Sequence, residues 1–344
     1  MSDPVVSAQF IRHIANCLEL TGRPAAPLLH SIGLSRAELD DPEGVIRLAD
    51  FLLFFEEAAA LARNPYFGLH VGRLVGSDSL GPLSFLFLSA PTLREAFASF
   101  TRYLDRMQEA SRDAIQEHSG RATFEYAVLD QSLSRRRQDA EYSIAATYNL
   151  TRQYLGGDFA IEEVRFEHEL VGEYTHYRDY FGCDVWFEQD SNSFSFDVRY
   201  LDHCGRALSP ALHPILEDHL RRKPHEQQHR ATVGAKVRRA IEARPLGNKP
   251  SIASVAKSLG LSVPTLNRKL RAEGLTWHAI VSANRMMAAG RLLRESQRQI
   301  SDIALATGFA ESASFTRAFR GYFGITPLRY RQGEAPTKEH GTDP

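Results

Sequence analysis

The chain has 344 residues, with 41 Lys and Arg against 42 Asp and Glu, and it contains three cysteines. This length predicts two domains, and a content of 43% hydrophobic and 24% charged residues is typical of a soluble globular protein. The apolar runs at 51–55 and 85–88 are too short to cross a bilayer, and the N-terminus lacks the basic residues of a secretory signal. Three scattered cysteines do not form a disulfide framework, so we expect a cytoplasmic protein with reduced thiols.

Residues 5–75 are predicted to be helical, because apolar side chains recur there at intervals of three and four. The clearest helix covers 48–62. It is followed by Gly68, Gly72 and Gly76, spaced four residues apart. Such spacing marks helix dimers in membranes, but no apolar run of about 20 residues surrounds it. We therefore expect close backbone packing inside a soluble core.

Beyond residue 80 the pattern predicts both helices and strands. The predicted helices open at 82 and 93 and cover 135–155 and 174–181, and the predicted strands cover 122–128, 161–166, 184–187 and 194–198. Helices first and short strands later indicate an α+β domain with an antiparallel or mixed sheet, which we place at 1–208. A helix and linker follow at 209–230, where the helix carries an apolar stripe of Leu212, Ile215, Leu216 and Leu220.

No catalytic or metal-binding pattern stands out in this part of the chain. Gly156-Gly157-Asp158-Phe159 resembles the GG(D/E) loop of nucleotide cyclases, but it lacks the second acidic residue and follows a helix, so we expect a simple turn. His168, Cys183 and Asp202-His203-Cys204 lack the ligand spacing of a structural zinc site. No nucleophile elbow, P-loop or dinucleotide fingerprint occurs. We predict no enzyme activity, no cofactor and no metal.

The C-terminal third contains one pattern twice. Both copies have two β-branched residues three apart, an alanine, a glycine four residues later, and then a helix with arginine between two large apolar residues. The copies run as Ile252-x-x-Val255-Ala256-x-x-x-Gly260-Leu261 with Leu266-x-Arg268-x-Leu270, and as Ile300-x-x-Ile303-Ala304-x-x-x-Gly308-Phe309 with Phe315-x-Arg317-x-Phe319. The second copy has one extra residue in its turn. Ser262 in the first copy, and Glu311 or Ser312 in the second, are placed to cap the second helix.

Each copy predicts a short helix, a glycine turn and a second helix whose polar face is exposed. This is the helix-turn-helix arrangement, whose second helix enters a DNA major groove. The alternative is a plain pair of helical hairpins with a solvated arginine face. Charge favours DNA, because 231–331 hold 17 Lys and Arg against 5 Asp and Glu, a net of +12, which leaves 24 against 37, or −13, for the rest.

The run from Gly308 to Arg320, with Gly324-Ile325-Thr326-Pro327-Leu328-Arg329-Tyr330-Arg331, resembles the signature of AraC/XylS-type transcriptional regulators. The resemblance covers about a hundred residues. It implies an all-α domain at 231–331 in which two helix-turn-helix units are joined by one long helix and bind promoter DNA as a rigid module. The polar stretch 332–344 is expected to be disordered.

The predicted base-reading residues share a position on the outward face of the second helix of each copy. They are Pro264, Thr265, Asn267 and Arg268 in the first copy, and Ser312, Ala313, Ser314, Thr316 and Arg317 in the second. Arginine can pair with guanine and asparagine with adenine, but a phosphate contact remains the alternative for each arginine. Contacts to the DNA backbone are assigned to Lys269, Arg271, Arg320 and Arg329.

The helix that joins the two copies is predicted to run from an N-cap at Thr276 to about Ser296. It would span about 30 Å, close to the ~34 Å of one DNA turn. The second helices of both copies could then enter successive major-groove segments. If the joining helix is stiff, the DNA must bend or only one unit can engage fully.

The segments 81–96 and 177–182 are similar to the arabinose-binding-like N-terminal domain of one branch of the same family. The similarity implies a domain that binds a small-molecule effector and forms a homodimer, with 209–220 as a candidate contact. We expect an activator, whose further partner would be RNA polymerase, and the residues leave a repressor open as the alternative. The candidate effector-binding residues are Arg94, Arg102, Tyr103, Tyr142 and Arg165, compatible with a lipid, an amino-acid derivative or a carboxylate.

Two other interpretations remain open at the level of the sequence. One is a dimeric DNA-binding regulator that needs no effector, and the other is an enzyme domain fused to a DNA-binding module. Ligand-dependent thermal stabilisation would separate a sensor from both.

Overall fold

The computed structural model describes residues 4–41, 44–104, 107–130, 132–157, 159–205, 208–222, 233–242 and 251–332. Their contacts form two compact units. The first unit combines Met1–Arg23 with Asp40–Arg230, and the second combines Pro24–Leu39 with Ala231–Pro344. The second unit thus includes a short segment from the N-terminal part of the chain, a grouping that the sequence patterns did not indicate.

The secondary structure agrees with the predicted fold class, an α+β N-terminal part and an all-α C-terminal part. The helices are α1 Ala8–Leu20, α2 Ala26–Ser31, α3 Leu48–Ala62, α4 Phe67–Arg73, α5 Pro82–Leu88, α6 Leu93–Leu104, α7 Arg137–Leu155, α8 Tyr174–Phe181, α9 His213–Arg222, α10 Val233–Glu242, α11 Ile252–Ser258, α12 Val263–Ala272, α13 Trp277–Glu295, α14 Ile300–Ala306, α15 Ser312–Phe323 and α16 Pro327–Arg331. The strands are β1 Val5–Ser7, β2 Val45–Arg47, β3 Ser111–His118, β4 Arg121–Val128, β5 Glu163–Arg165, β6 Asp184–Trp186 and β7 Asn192–Asp197.

The main sheet of the first unit has the strand order β3-β4-β7-β5-β6, and every pairing is antiparallel except β5 with β6. Strand β4 alternates as predicted, and its buried side chains form one face of the core. On that face Phe124 packs against Phe97 of α6 and Phe194 of β7, with ring centroids 5.7 and 5.4 Å apart. The prediction of an antiparallel or mixed sheet is confirmed, and the sheet is mixed.

The prediction of helices for 5–75 missed two short strands, β1 and β2. β1 and β2 pair in antiparallel fashion, with Val6 opposite Ile46. Three-residue strands are too short to show a period of two, and their pairing joins segments far apart in sequence. Ser7 ends β1 and then caps α1, because its hydroxyl accepts a hydrogen bond from the Gln9 backbone N–H.

The helix predicted to follow residue 208 begins later than expected, at His213. A 3-10 turn covers Pro210–Leu212, α9 follows, and 223–230 lie outside the described residues. Of the predicted apolar stripe, Leu220 is buried, whereas Leu212 is 40% and Ile215 65% exposed. Two of the four side chains of this stripe are therefore not covered by the described residues of a single chain.

Close backbone packing at the spaced glycines is confirmed for two of the three. Gly68 and Gly72 lie on α4 where it crosses α7, and an added Cβ would meet the Gln138 carbonyl in one case and, in the other, the Ala145 Cβ at 2.6 Å. At Gly76 the nearest atom is a carboxylate oxygen of Asp78 at 3.6 Å. The first two glycines let α4 approach α7, and the third does not take part.

We expect Gly72→Ala to lower the free energy of unfolding by about 1–3 kcal/mol, because the added methyl must push α4 away from α7. Gly76→Ala is the matched control and should change it by less than about 0.5 kcal/mol. Urea unfolding of the full chain, followed by circular dichroism, measures both. Equal midpoints for the two variants would contradict the close crossing.

Helix α13 is the centre of the second unit and packs against α2, α10, α14, α15 and α16. The segment 24–39 makes further contacts within this unit. The Tyr322 hydroxyl donates a hydrogen bond to the Pro27 carbonyl at 2.6 Å, and a Cβ on Gly234 of α10 would collide with the Gly33 carbonyl. The segment therefore packs closely enough on the second unit to require glycine at position 234.

Gly234→Ala should lower the stability of the second unit by about 1–3 kcal/mol, because the backbone of Gly33 cannot yield as a side chain could. In Gly321→Ala, on α15, the added Cβ has no atom of the described residues within 4 Å, apart from its chain neighbours and the backbone of its own helix. This control should stabilise the helix by about 0.5–1 kcal/mol. Trp277 fluorescence during urea unfolding, in a Trp186→Phe background, reports on this unit. Similar shifts for the two variants would contradict the docking of segment 24–39.

Candidate nucleic-acid interface

The two copies of the repeated pattern fold into the same helix–turn–helix geometry. In the first copy the Leu261 N–H bonds to the Ala256 carbonyl, and in the second the Phe309 N–H bonds to the Ala304 carbonyl, both at 2.9 Å. The glycine before each donor, Gly260 or Gly308, has a positive φ of 67° or 83°. This helix ending satisfies the last carbonyls and reverses the chain, and glycine adopts it without steric cost.

The turns differ in length and in how the second helix is capped. Helix α12 begins three residues after its glycine and α15 four residues after, as the extra residue predicted. The Ser262 hydroxyl caps α12 by accepting from the Thr265 N–H at 3.3 Å, which confirms its role. Glu311 is at the N-cap position of α15 but makes no side-chain capping bond there, and Ser312 is the first helical residue. The predicted second cap was therefore wrong, and α15 depends on its packing instead.

Apolar clusters hold each pair of helices together. In the first, Val255 and Ala256 of α11 pack with Leu266 and Leu270 of α12, and Val237 of α10 joins them. The second cluster is aromatic, a chain of rings through Phe309, Phe315, Phe319, Phe323 and Tyr330 with centroids 4.5–5.5 Å apart. Since the apolar residues of α12 and α15 point inward, the residues between them face solvent.

The outward faces of α12 and α15 carry the residues predicted to read bases. The exposed members are Pro264, Arg268, Ser312, Ala313 and Arg317, and the half-buried ones are Thr265, Asn267, Ser314 and Thr316. The Thr316 hydroxyl donates to the Ser312 carbonyl at 2.8 Å, so toward an outside partner it acts as an acceptor. The residues predicted to contact the DNA backbone are all exposed; they are Lys269, Arg271, Arg320 and Arg329.

Helix α13 joins the two helix-turn-helix copies as predicted. It runs from an N-cap at Thr276, whose hydroxyl accepts a hydrogen bond from the Ala279 N–H, to Ser296. Gly290 permits the contact of α13 with the second helix-turn-helix copy, because an added Cβ would lie 3.1 Å from the Phe323 ring. At 19 residues the helix is about 28 Å long. That length is comparable with one turn of DNA.

Not every cation in this basic unit faces outward. The Arg285 guanidinium lies over the Phe309 ring and that of Arg294 over the Tyr330 ring, at 5.9 and 5.5 Å from the centroids. These contacts attach α13 to the second cluster. The sequence patterns predicted no role for either arginine.

One acidic side chain of the unit is also used internally. The two carboxylate oxygens of Glu273 accept hydrogen bonds from the Val233 and Gly234 N–H groups, both at 2.8 Å. A carboxylate at the start of a helix stabilises its unpaired N–H groups and its positive end. Glu273 therefore fastens α10 to the end of α12 and adds little negative charge to the outer face.

The predicted effector residues do not come together in one site. Arg94 pairs with Glu117 and Asp202, Arg102 with Glu217 at 2.8 Å, and Arg165 with Glu163 at 3.1 Å. The hydroxyl of Tyr103 donates to the Glu217 carbonyl at 3.2 Å. Tyr142 is different, because it is buried in the first unit at the wall of a cavity. Burial raises the pKa of its hydroxyl, so the group is a proton donor at neutral pH.

Among the residues that the structure describes, no helix has both the length and the apolar character needed to span a membrane. In the same residues, His, Cys, Asp and Glu side chains do not gather in groups of three or more that could hold a metal ion. The three cysteines are free thiols.

Comparison with known proteins covers both units. Residues 22–204 match the family described as the arabinose-binding domain of AraC transcription regulator, N-term, and residues 255–333 match the one described as a helix-turn-helix domain. The chain is 28% identical over 317 residues to the HTH-type transcriptional regulator VirS of Mycobacterium tuberculosis, which covers 90% of this chain and 91% of VirS. It is 28% identical over 300 residues to the ornithine utilization regulator of Pseudomonas aeruginosa, covering 87% of each chain. A solved structure, the transcriptional regulator CdpR from Pseudomonas aeruginosa, covers 94% of this chain and 97% of its own at 22% identity, with a TM-score of 0.45.

The match to the N-terminal domain spans more than half of the chain, and the helix-turn-helix match falls on the duplicated helices described above. The chain belongs to the AraC family of transcriptional regulators.

Proposed function

We propose that the protein binds a promoter site with α12 and α15 in successive major-groove segments on one face of the duplex. The observation that carries this proposal is the exposure of Arg268 and Arg317 on equivalent helices that a single helix, α13, joins. A 19-residue α13 is a little shorter than one DNA turn. A modest bend of the DNA toward the protein would therefore favour engagement of both units.

In this arrangement one set of side chains would contact bases and another would contact phosphates. Arg268 and Arg317 would pair with guanine O6 and N7, and Asn267 with adenine, each contributing about 1–3 kcal/mol of discrimination. The remaining residues of the predicted set, Pro264, Thr265, Ser312, Ala313, Ser314 and Thr316, would contribute apolar contacts or weaker hydrogen bonds. Lys269, Arg271, Arg320 and Arg329 would neutralise phosphates and set the register of the protein on DNA.

Arg317→Ala is expected to relax the sequence preference at one base position, because its guanidinium would read a base edge. Arg320→Ala is the matched control on the same helix, and it should weaken binding to all sequences about equally and reduce the salt dependence of binding by about one phosphate contact. Selection from a randomised DNA library gives the sequence profiles, and titrations at several salt concentrations give the slopes.

Identical sequence profiles for the wild type and Arg317→Ala would assign this arginine to a phosphate. If Arg268→Ala also left the sequence profile unchanged, base reading by Arg268 and Arg317 would be refuted. Circular dichroism of each variant checks that the helices remain folded.

Control of DNA binding would lie in the first unit, where an effector changes the relation between two DNA-binding units of a homodimer. The uncovered apolar side chains of Leu212 and Ile215 next to and on α9 support a contact with a second copy there. Sedimentation of the full chain as a monomer at micromolar concentration, with and without DNA, would remove the dimer from the proposal. If the wild type were a dimer and Ile215→Asp a monomer, the dimer contact would be located at α9.

The output of the regulator is inferred to be activation, which adds RNA polymerase as a partner. The setting is the cytoplasm, where the free thiols of Cys17, Cys183 and Cys204 stay reduced. A reporter gene placed behind the selected DNA site tests the direction of control, because an activator raises expression and a repressor lowers it.

A further inference from the structure

Segment 24–39 contacts both copies of the helix-turn-helix pattern, although it comes from the N-terminal part of the chain. Its helix α2 packs on α13, which joins the copies. At the second copy, the Tyr322 hydroxyl of α15 donates a hydrogen bond to the Pro27 carbonyl at 2.6 Å. At the first copy, an added Cβ on Gly274, in the turn after α12, would lie 3.4 Å from the Ser35 Cβ. One continuous segment therefore contacts α15, α13 and the end of α12.

These contacts lie at the C-terminal ends of α12 and α15, away from the residues proposed to read bases. Tyr322 follows Arg317 on α15 by five residues, which places the two side chains about 140° apart around the helix axis. Gly274 comes after Ala272, the last residue of α12. In the complete chain Arg268 and Arg317 are exposed, so the docked segment does not cover them.

The segment has the hydrogen bonds of a defined structure. Gly33 ends α2 with a φ of 71°, and the Leu34 N–H returns to the Leu29 carbonyl at 3.0 Å. The Glu38 carboxylate then accepts from the N–H and the hydroxyl of Ser35, at 2.7 and 3.0 Å, and caps the 3-10 turn that follows. Such a segment can hold two contacts at a set distance, which an unstructured loop cannot. Its buried apolar side chains are Ala25, Leu28, Leu29, Ile32, Leu34 and Leu39.

We propose that segment 24–39 is a brace that fixes the separation of α12 and α15, and with it the spacing of the two DNA boxes that the protein accepts. A box is the group of base pairs that one of these helices contacts, so the inference rests on the proposed function. Helix α13 alone joins the copies at one side of each. A second connection, between the C-terminal ends of α12 and α15, would restrict rotation of one copy relative to the other. Both ends of the brace continue into the first unit, so that unit is connected to both copies at once.

The test uses the full chain and the DNA site selected from a randomised library, with and without one base pair inserted between the boxes. One inserted base pair moves the second box by about 3.4 Å and turns it by about 35°. We expect the insertion to lower the affinity of the wild type at least about tenfold, because a braced pair of helices cannot follow the displaced box. Fluorescence anisotropy of labelled DNA measures this insertion penalty.

The double variant Tyr322→Phe/Gly234→Ala loosens the brace. It removes the hydrogen bond to Pro27 and places a methyl group against the Gly33 carbonyl. The insertion penalty should then fall to about threefold or less, because the second helix can adjust to the displaced box. Circular dichroism shows whether the variant is folded.

The matched control makes the same two chemical changes in the first unit, as Tyr180→Phe/Gly76→Ala. The Tyr180 hydroxyl donates to the Ala145 carbonyl at 3.3 Å, and the atom nearest to an added Cβ on Gly76 is an oxygen of Asp78 at 3.6 Å. This variant should keep the insertion penalty of the wild type.

A reversible lock makes the opposite change. In Ser35→Cys/Gly274→Cys the two Cβ atoms would lie near the spacing of about 3.5–4.5 Å that a disulfide needs. A cysteine at position 274 is strained by its left-handed φ of 68°, so the reduced form of the same protein is the control. The oxidised form should bind the selected site within about twofold of the reduced form and keep the insertion penalty. The background carries Cys17→Ala, Cys183→Ser and Cys204→Ser.

An insertion penalty as large in Tyr322→Phe/Gly234→Ala as in the wild type would overturn the brace. Loss of DNA affinity on oxidation of Ser35→Cys/Gly274→Cys would also overturn it, because the segment would then have to leave α12 when DNA binds. A wild type that accepts the inserted base pair without loss would instead refute binding by both helices, which is the proposed function itself. The behaviour of the wild type therefore separates the two failures.

Discussion

The second unit depends on the burial of α13 on more than one side. The side chains or backbone at 286–290, five residues in succession, are buried, and five successive residues of a helix point around its whole circumference. A helix that joined two domains through solvent could not be buried in this way. Here α10 packs on one part of it, α14, α15 and α16 on another, and α2 on a third. These contacts attach the helices of both helix-turn-helix units to one common helix.

The charges of this unit are divided between holding it together and facing outward. Arg285 and Arg294 lie on aromatic rings, and Glu273 closes the start of α10, so these ionic groups stabilise the unit internally. Arg268 and Arg317 remain exposed between inward-pointing apolar residues. A net positive charge by itself would attract any polyanion. A preference for particular DNA sequences needs side chains at defined positions, and Arg268 and Arg317 occupy equivalent positions on the second helices of the two copies.

The first unit buries two carboxyl groups on α7. Burial raises the pKa of both Asp139 and Glu141 on α7 to about 7, and the same helix presents Tyr142 to the cavity. Such groups are costly unless they are hydrogen-bonded, and Asp139 and Glu141 accept from the Tyr126 and Tyr177 hydroxyls.

The chain also passes between the two units at three points, near residues 23, 39 and 230. The units are therefore linked covalently by more than a single linker.

Features that depend on local patterns could be predicted from the residues alone. The duplicated helix-turn-helix units, the cap at Ser262, the joining helix from Thr276 to Ser296 and the alternation of β4 all follow from periodicity, glycine turns and capping chemistry. Other features became apparent only in the folded chain: the pairing of β1 with β2, the place of 24–39 in the second unit, the stacking of Arg285 and Arg294, and the meeting of Asp113 with Tyr142 at one cavity. Each of these joins residues that are far apart in the chain or surrounds a side chain with several elements at once. Such contacts arise from packing, which leaves no periodic trace in a single sequence.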